Sequence, residues 1–329
     1  MSTRRTNLGL LLALGLAFAS GIAAFGIGSG WNRWATAAHA IAGFLIVVLT
    51  PWKSFIVRRG LTRGRSDAWV SLGFLSLVVV AIVSGLVHAA GFAGTFTITP
   101  MQVHVGAALV SLPLALWHVV RRPVRATKTD LSRRRLLKAG AFVAGASVSY
   151  AATEGLIRIA GLPGSGRRFT GSLERGSHHP DAMPVTQWLN DRVPAIDPGT
   201  WRLQIGPRSL TYEELTAFDD RVVATLDCTG GWFATQEWEG AWLGGLLEAG
   251  DARSVVATSV TGYGRRFPAA DLARMFLATR VEGEALSPGH GFPVRLVVPG
   301  RRGFWWIKWL TSVDTSTVPW WFQSPFPLT

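Results

Sequence analysis

The stretch LDCTGGWFATQEWEG, Leu226 to Gly240, holds Cys228, the one cysteine among 329 residues. A lone cysteine cannot close an internal disulfide. Nor can it build a structural zinc site, which takes several Cys or His ligands at short spacing. It is either a small buried apolar group or a thiolate with a chemical task. The setting argues for the task. Gly230 and Gly231 follow at once, so the backbone can turn tightly and a bulky group can approach it. Arg221 to Leu226 leads in with β-branched residues that suit a strand. Cys228 is therefore expected at a strand end that opens into a glycine-rich loop.

The run DCTGGWFATQEWEGAWLGGLLEAG from Asp227, with GHGFPVRLVVPGRRGFWWIKWL from Gly289, resembles the catalytic domain of the sulfite oxidase family of molybdenum enzymes. Within that family it is most similar to the bacterial periplasmic branch that includes the methionine sulfoxide reductase catalytic subunit. The resemblance covers Thr170 to Val313. It implies an α+β molybdopterin-binding domain in which one cysteine thiolate, here Cys228, ligates molybdenum held by a single molybdopterin. Soft thiolate sulfur suits such a centre. In that branch an Asn-Gly-x-Pro-x-Arg run contacts the pterin and a lysine closes the strand pair. Here His290 stands in place of the Asn, Arg295 and Lys308 match, and Trp306 and Ile307 fill the neighbouring positions. An arginine would offer a two-pronged fork to the pterin phosphate and a lysine a point charge. Read without the resemblance, Arg295 is a charge on a surface strand and His290 a loop histidine. Thr261 is a further candidate polar contact. Ser177, His178 and His179 correspond to the family's first pterin loop, with no residue assigned.

Two departures bear on the substrate. Sulfite oxidases carry arginines just after the ligand cysteine, where this chain has Thr229, Gly230, Gly231 and Trp232. The resemblance therefore implies a sulfoxide-type substrate, small or protein-borne, rather than sulfite. After the matching run, the residues up to Thr329 are not expected to form a counterpart of the carboxyl-terminal dimerisation domain of sulfite oxidases. Trp232, Trp238, Tyr263 and Arg265 are candidates to line the pocket, with packing as the other role open to the aromatic ones.

Composition places this domain in context. Hydrophobic residues make up 48% of the chain, mean hydropathy is +0.27, and 33 Lys and Arg give a net charge of +13. Such a chain either binds nucleic acid or has membrane helices with basic loops, and the distribution of charge decides. Apolar segments run over Asn7–Gly28, Trp34–Trp52, Ala68–Ala90 and Met101–Val120, with a weaker fifth over Leu136–Ala160. Each of the first four suffices for a bilayer core of roughly 30 Å. Asn7–Gly28 lacks the small-residue cleavage site of a signal peptide. Arg4 and Arg5 precede the first segment. Lys53, Arg58, Arg59, Arg63 and Arg65 separate the second and third, and a run from Arg121 to Lys138 separates the fourth and fifth. The alternate loops hold only Arg33. The positive-inside rule then predicts a multi-pass protein of the cell membrane with a cytoplasmic N-terminus. Four helices cross, a fifth anchors, and the catalytic domain lies on the extracytoplasmic side. Nucleic acid is excluded as a partner, because the basic excess is topological.

Ahead of the fifth segment, LSRRRLLKAGAFVAGASVSYAA resembles a twin-arginine export signal through Ser132, Arg133, Arg134, Leu136, Leu137 and Lys138. That pathway carries folded proteins with the cofactor already inserted, which suits a molybdenum domain. No cleavage site follows Ala152, so the segment is expected to stay as an anchor.

Histidine is a standard axial ligand of haem, and His39, His88, His104 and His118 all lie in the apolar segments. With the topology above, His39, His88 and His104 fall towards the outer ends of their helices and His118 towards an inner end. His104 and His118, fourteen residues apart, share nearly one helix face. One b-type haem held by His104 and His39 is the first expectation, with His88 as alternate partner and His118 lacking an inner mate. Hydrogen bonding between helices is the other role open to these side chains. Such a haem would link the molybdenum site to the membrane quinone pool. A separate redox partner would serve if the helices are only an anchor. A non-catalytic binding or assembly protein on the same fold is the other alternative, against which the intact Cys228, Arg295 and Lys308 speak.

The expected organisation is thus a helical membrane domain over 1–125, an export-like segment with anchor and tether over 126–168, and the catalytic domain over 169–329. Within the last, LTYEELTAF (from Leu210) and Phe267–Ala278 read as helices. Arg253–Gly262 reads as a strand and turn, and Pro293–Val298 and Phe304–Trp309 read as strands joined by the Gly300–Gly303 turn. There is no internal repeat.

Overall fold

The computed structural model describes residues 2–61, 68–92, 98–187 and 191–326. They form two compact units: Met1–Phe25 with Gly30–Leu173, and Gly26–Ser29 with Glu174–Thr329.

The first unit is helical: α1 (Thr3–Gly26), α2 (Asn32–Leu61), α3 (Ala68–Ala89), α4 (Pro100–Arg121) and α5 (Arg133–Ile159). Local chemistry sets the starts. Thr99 accepts from the Gln102 backbone N–H while the Gln102 side chain accepts from the Thr99 N–H, and Pro100 takes the first helical position. Asn32 donates to the Ala24 carbonyl at 2.7 Å and accepts from Thr36 at 2.7 Å, which fixes the α1–α2 corner. Asp130, ahead of α5, takes both arms of Arg4 at 2.7 and 2.6 Å and one arm of Arg135 at 3.2 Å. Arg4 holds its carboxyl below the usual carboxylate range.

Among the described residues, four helices, α1 to α4, are long and apolar enough to cross a membrane. The fifth, α5, is a 27-residue helix but does not reach that apolarity, since Arg133, Arg134, Arg135 and Lys138 crowd its start and Glu154 and Arg158 its end. Large apolar side chains such as Leu16, Val83, Leu109 and Leu116 face outward. The buried hydroxyls of Ser20, Ser84 and Ser111 bond back to carbonyls of their own helices, so the helices carry few unmet polar groups. Of the basic loop residues, Arg63 and Arg65 lie outside the described residues.

The second unit is an α+β domain. Its strands run β1 (Leu173–Glu174), β2 (Arg202–Ile205), β3 (Arg208–Thr211), β4 (Asp220–Cys228), β5 (Trp232–Trp242), β6 (Ser254–Ser259), β7 (Gly264–Pro268), β8 (Phe276–Val281), β9 (Glu284–Ala285), β10 (Arg295–Val297) and β11 (Leu310–Ser316). One sheet has the order β1-β5-β8-β10, with β4 on β5 and β9 on β8; the other has the order β3-β2-β11-β6-β7. In β5, Trp232, Ala234, Gln236 and Trp238 alternate inward, as a strand with one buried face requires. The single α-helix among the described residues here, α6 (Tyr212–Thr216), is started by a reciprocal Thr211–Glu214 cap.

The strands expected in Arg221–Leu226, Arg253–Gly262 and Pro293–Val298 are present as β4, β6 and β10. Two expectations are corrected. Phe267–Ala278 is not a helix: it is the end of β7, a 3-10 turn over Ala269–Arg274 and the start of β8. Four consecutive residues from Met275 to Ala278 are fully buried, which suits a strand covered on both faces and not one stripe of a helix. Phe304–Trp309 is not a strand either. A 3-10 turn spans Gly303–Trp305, Trp309 is left-handed at φ 53°, and the strand starts only at Leu310. The helix expected from Leu210 is shorter, because Leu210 and Thr211 pair in β3.

Candidate active site

Cys228 ends β4 and faces Trp232, the first residue of β5, across a tight turn. Gly231 closes the turn at φ 88°, where a side chain would be strained, and donates to the Cys228 carbonyl at 3.2 Å. The Gly230 backbone N–H points at Cys228 Sγ, 3.4 Å away. A donor of this kind steadies a thiolate. Burial pushes the Cys228 thiol up, and Gly230, then Arg302, Thr186 and Lys308, partly offset it.

The second wall comes from the Gly300–Gly303 turn. Arg302 donates to Asp227 at 2.5 Å and to the Cys228 carbonyl at 3.2 Å. Arg302 and Asp227 are both buried, with side chains 4% exposed. Gly303 lies so close that a Cβ there would stand 3.1 Å from Cys228 Cα. The turn and the cysteine strand are therefore locked together.

The third wall carries cations. Arg295 on β10 is buried, donates to the His290 carbonyl at 3.2 Å and has its guanidinium near the rings of Trp238 and Trp306. Its Nε has no protein partner among the described residues. Lys308 donates to the carbonyls of Thr186 (2.9 Å) and Gly289 (2.6 Å). Burial lowers Arg295 to about 10. Burial first, and then repulsion from Arg295, lowers Lys308 to about 7. Both cations feel the Cys228 thiolate, which favours their charged forms. His290 is buried, donates from Nε2 to the Met183 carbonyl at 3.1 Å and accepts from the Ser287 hydroxyl through Nδ1 at 2.9 Å. That carbonyl fixes the proton on Nε2. Burial and then the two cations hold His290 down at about 4, so it is neutral near pH 7.

These groups share one cleft. Cys228, His290, Arg295, Trp306 and Lys308 line it, together with Thr186, Asp191, Trp232, Tyr263 and Trp309. Of the residues singled out in the sequence, Ile307 sits instead in the core. Thr261 is an exposed residue that donates to Asp191 at the cleft edge, at 3.1 Å. Trp238 is fully buried, donating to the Ala224 carbonyl. Arg265 stacks on Trp305 and donates to the Ser324 and Pro325 carbonyls. His178 pairs with Glu282 outside the cleft. Sequence reading missed Thr186, whose hydroxyl accepts from Trp232 Nε1, and the Asp227–Arg302 pair. The pair had a signal: an aspartate directly before the cysteine and two arginines in a glycine turn.

The donor set suits a molybdenum–pterin group. One soft sulfur stands at the cleft floor, and two cations, one with an unpartnered buried N–H, suit the phosphate of the pterin.

Comparison with known proteins agrees. Residues 190–321 match the family model described as the oxidoreductase molybdopterin binding domain. The mitochondrial sulfite oxidase of Rattus norvegicus is 30% identical over 167 residues, 38% of this chain and 31% of that protein. The human enzyme is 31% identical over 164 residues, 37% of this chain and 30% of that protein. The NAD(P)H nitrate reductase of Hordeum vulgare is 32% identical over 165 residues, 37% of this chain and 18% of that protein. The chain spans about a third or less of the length of these relatives. Among solved structures, the sulfane dehydrogenase SoxCD of Paracoccus pantotrophus aligns with TM-score 0.36 and 26% identity, over 38% of this chain and 40% of that one. The curated relatives named here are sulfite oxidases and a nitrate reductase, which lean away from the sulfoxide reductase subtype. The second unit of this protein thus carries a molybdopterin-binding oxidoreductase domain like those of sulfite oxidase and nitrate reductase.

Proposed function

We propose that this protein is a membrane-anchored molybdopterin-dependent oxidoreductase, with Cys228 as the molybdenum ligand and the catalytic domain on the extracytoplasmic side. The observation that carries this reading is the cleft itself: the one cysteine of the chain, with a backbone N–H on its sulfur, shares it with two cations, the buried Arg295 and the half-buried Lys308. When bound, molybdenum supplies two-electron oxygen-atom chemistry. The chain supplies the rest. Arg295 and Lys308 would hold the pterin phosphate. His290 stays neutral and uses Ser287 and the Met183 carbonyl to keep its loop in place. Trp306 lines the cleft that would take the pterin, Ile307 is buried in the core, and Thr261 donates to Asp191. Trp232 and Tyr263 face the substrate.

The outward apolar surface of α1 to α4 supports membrane insertion, since a soluble bundle would cover it with polar side chains. The positive loops put the N-terminus in the cytoplasm, so four crossings by α1 to α4 return the chain to that side. The Ser132–Lys138 segment serves export of the folded domain, and the less apolar α5 makes the fifth crossing and stays as its anchor. Electrons are exchanged through the helical unit with the quinone pool or a redox partner.

Two substrate classes divide the observations. A neutral sulfoxide suits the aromatic walls at Trp232 and Tyr263 and the absence of arginine at 229–232. A small oxyanion suits the names of the relatives. Metal and pterin analysis of the detergent-purified chain tests the main reading: about one molybdenum per chain is expected, lost or spectroscopically altered in Cys228→Ser. Protein from a cofactor-competent host that contains none would overturn it. Assays of the loaded enzyme with methionine sulfoxide, sulfite and nitrate then separate the classes.

A further inference from the structure

Two of the four histidines in the apolar helices meet. His39 on α2 and His104 on α4 approach with their Nε2 atoms 3.4 Å apart and their ring planes 88° apart. On its other side each ring meets a backbone carbonyl of a neighbouring helix. His39 Nδ1 lies 2.8 Å from the Ala17 oxygen on α1, and His104 Nδ1 lies 2.7 Å from the Ala81 oxygen on α3.

This line of groups has a proton deficit. Carbonyl, imidazole, imidazole and carbonyl make three polar contacts, and each contact needs one proton. Two neutral imidazoles bring one N–H each. Carbonyls only accept, so the two short outer contacts take both protons and fix both rings as Nδ1–H tautomers. The central contact is then left with two lone pairs aimed at each other. A third proton would place a net charge among apolar helices, which is costly. A metal ion between the two Nε2 atoms satisfies both. Metal-bound histidines characteristically donate their other N–H to a carbonyl, as both rings do here.

The ligand count narrows the metal. Among the described residues, no group of three or more His, Cys, Asp or Glu is placed to hold an ion. A bare zinc site, which wants four ligands, is therefore not made. An iron whose four equatorial places are filled by a porphyrin needs only two axial donors. Small residues give the rings their seats. A Cβ on Gly21 of α1 would lie 3.1 Å from His39 Nδ1, and one on Gly85 of α3 would lie 3.0 Å from His104 Nδ1. Metal–imidazole bonds of roughly 2 Å each put the two nitrogens about 4 Å apart. The observed pair needs to open by only a fraction of an ångström. The other two histidines are engaged elsewhere. His88 Nε2 lies 3.0 Å from the Gly171 carbonyl, and His118 packs at a tilt on Phe74.

We propose that His39 and His104 are the two axial ligands of one b-type haem, an iron porphyrin held between α2 and α4. The site stands on the helical unit alone and does not depend on the molybdenum reading.

The test is an optical and electron paramagnetic resonance spectrum of the full chain, purified in detergent from a haem-sufficient host, with molybdenum measured on the same samples. A low-spin, six-coordinate b-type signal at about one haem per chain is expected. His39→Ala and His104→Ala should each abolish that signal or turn it high-spin, while His88→Ala and His118→Ala retain it. His104→Met keeps a donor in place, so it should preserve six-coordination and raise the midpoint potential, which separates lost ligation from lost folding. Titration of haemin into folded chain made under haem limitation should saturate near one per chain. A folded chain that takes up no haem, or a low-spin signal that survives both alanine variants, would overturn the proposal whatever the molybdenum content.

Discussion

In the helical unit, Ser20, Ser84 and Ser111 bury hydroxyls by returning them to carbonyls three or four residues back in their own helices. In the sheet unit, Arg302 finds Asp227 across 75 residues and Lys308 finds the Thr186 carbonyl across 122. A helix satisfies its polar groups locally, so one can be removed without stranding another. A network assembled from distant loops is shared, so each loss leaves a buried partner uncompensated. Longer-range contacts in the helical unit, such as Arg4–Asp130 and His88–Gly171, lie beside these; the His39–His104 pair joins neighbouring helices too, and removing either ring should change a cofactor rather than a fold.

The contrast is put under most strain by the Asp227–Arg302 pair. Asp227→Asn leaves a buried guanidinium without its anion and should cost about 3–5 kcal/mol of unfolding free energy. Removing both charges together, as Asp227→Asn with Arg302→Leu, should cost less than the two single changes summed. Denaturant unfolding followed by tryptophan fluorescence measures this, and a loss under about 1 kcal/mol for the single variant would remove the case for a shared network.

Next comes pH. His290 is held down to about 4 in the fold, against an ordinary value of about 6.5 when unfolded. The unfolded chain therefore binds the extra proton first. The stabilisation is fully present above about pH 6.5 and is lost as pH falls towards 4, by at most about 3 kcal/mol. The cofactor-free chain should show this slope, and His290→Asn should flatten it. An identical slope in the variant would assign it to other groups.

Smaller is Gly303→Ala, which drives a Cβ to 3.1 Å from Cys228 Cα. It should cost about 1–3 kcal/mol by overpacking, and thermal unfolding would report it. Smallest is Ser84→Ala in α3, whose hydroxyl bonds only within its own helix: a change of about 0.5 kcal/mol or less is expected. A loss as large as that of Asp227→Asn would erase the distinction between local and shared polar groups.

Much of this was readable before any coordinates. Length and apolarity announce α1 to α4, because a bilayer-scale run has few other uses. Cys228 at a strand end was legible from residue type and order, whereas Arg295 and Lys308 stood out only through the family resemblance, since a strand arginine read alone is a surface charge. The Asp227–Arg302 lock was not, since pairing across the fold leaves no periodic trace. Thr186 lies in an irregular segment where no pattern points to it. Phe267–Ala278 misled because a short apolar run fits a buried strand and a helix equally well. Four histidines in apolar helices were visible, but only packing shows that His39 and His104 face each other while His88 turns to the Gly171 carbonyl.

The most direct measurement is X-ray absorption at the molybdenum edge on the purified full chain and on Cys228→Ser. The account predicts that the variant loses one sulfur neighbour of molybdenum while pterin, held by Arg295 and Lys308, stays bound. Unchanged sulfur coordination in Cys228→Ser would contradict it.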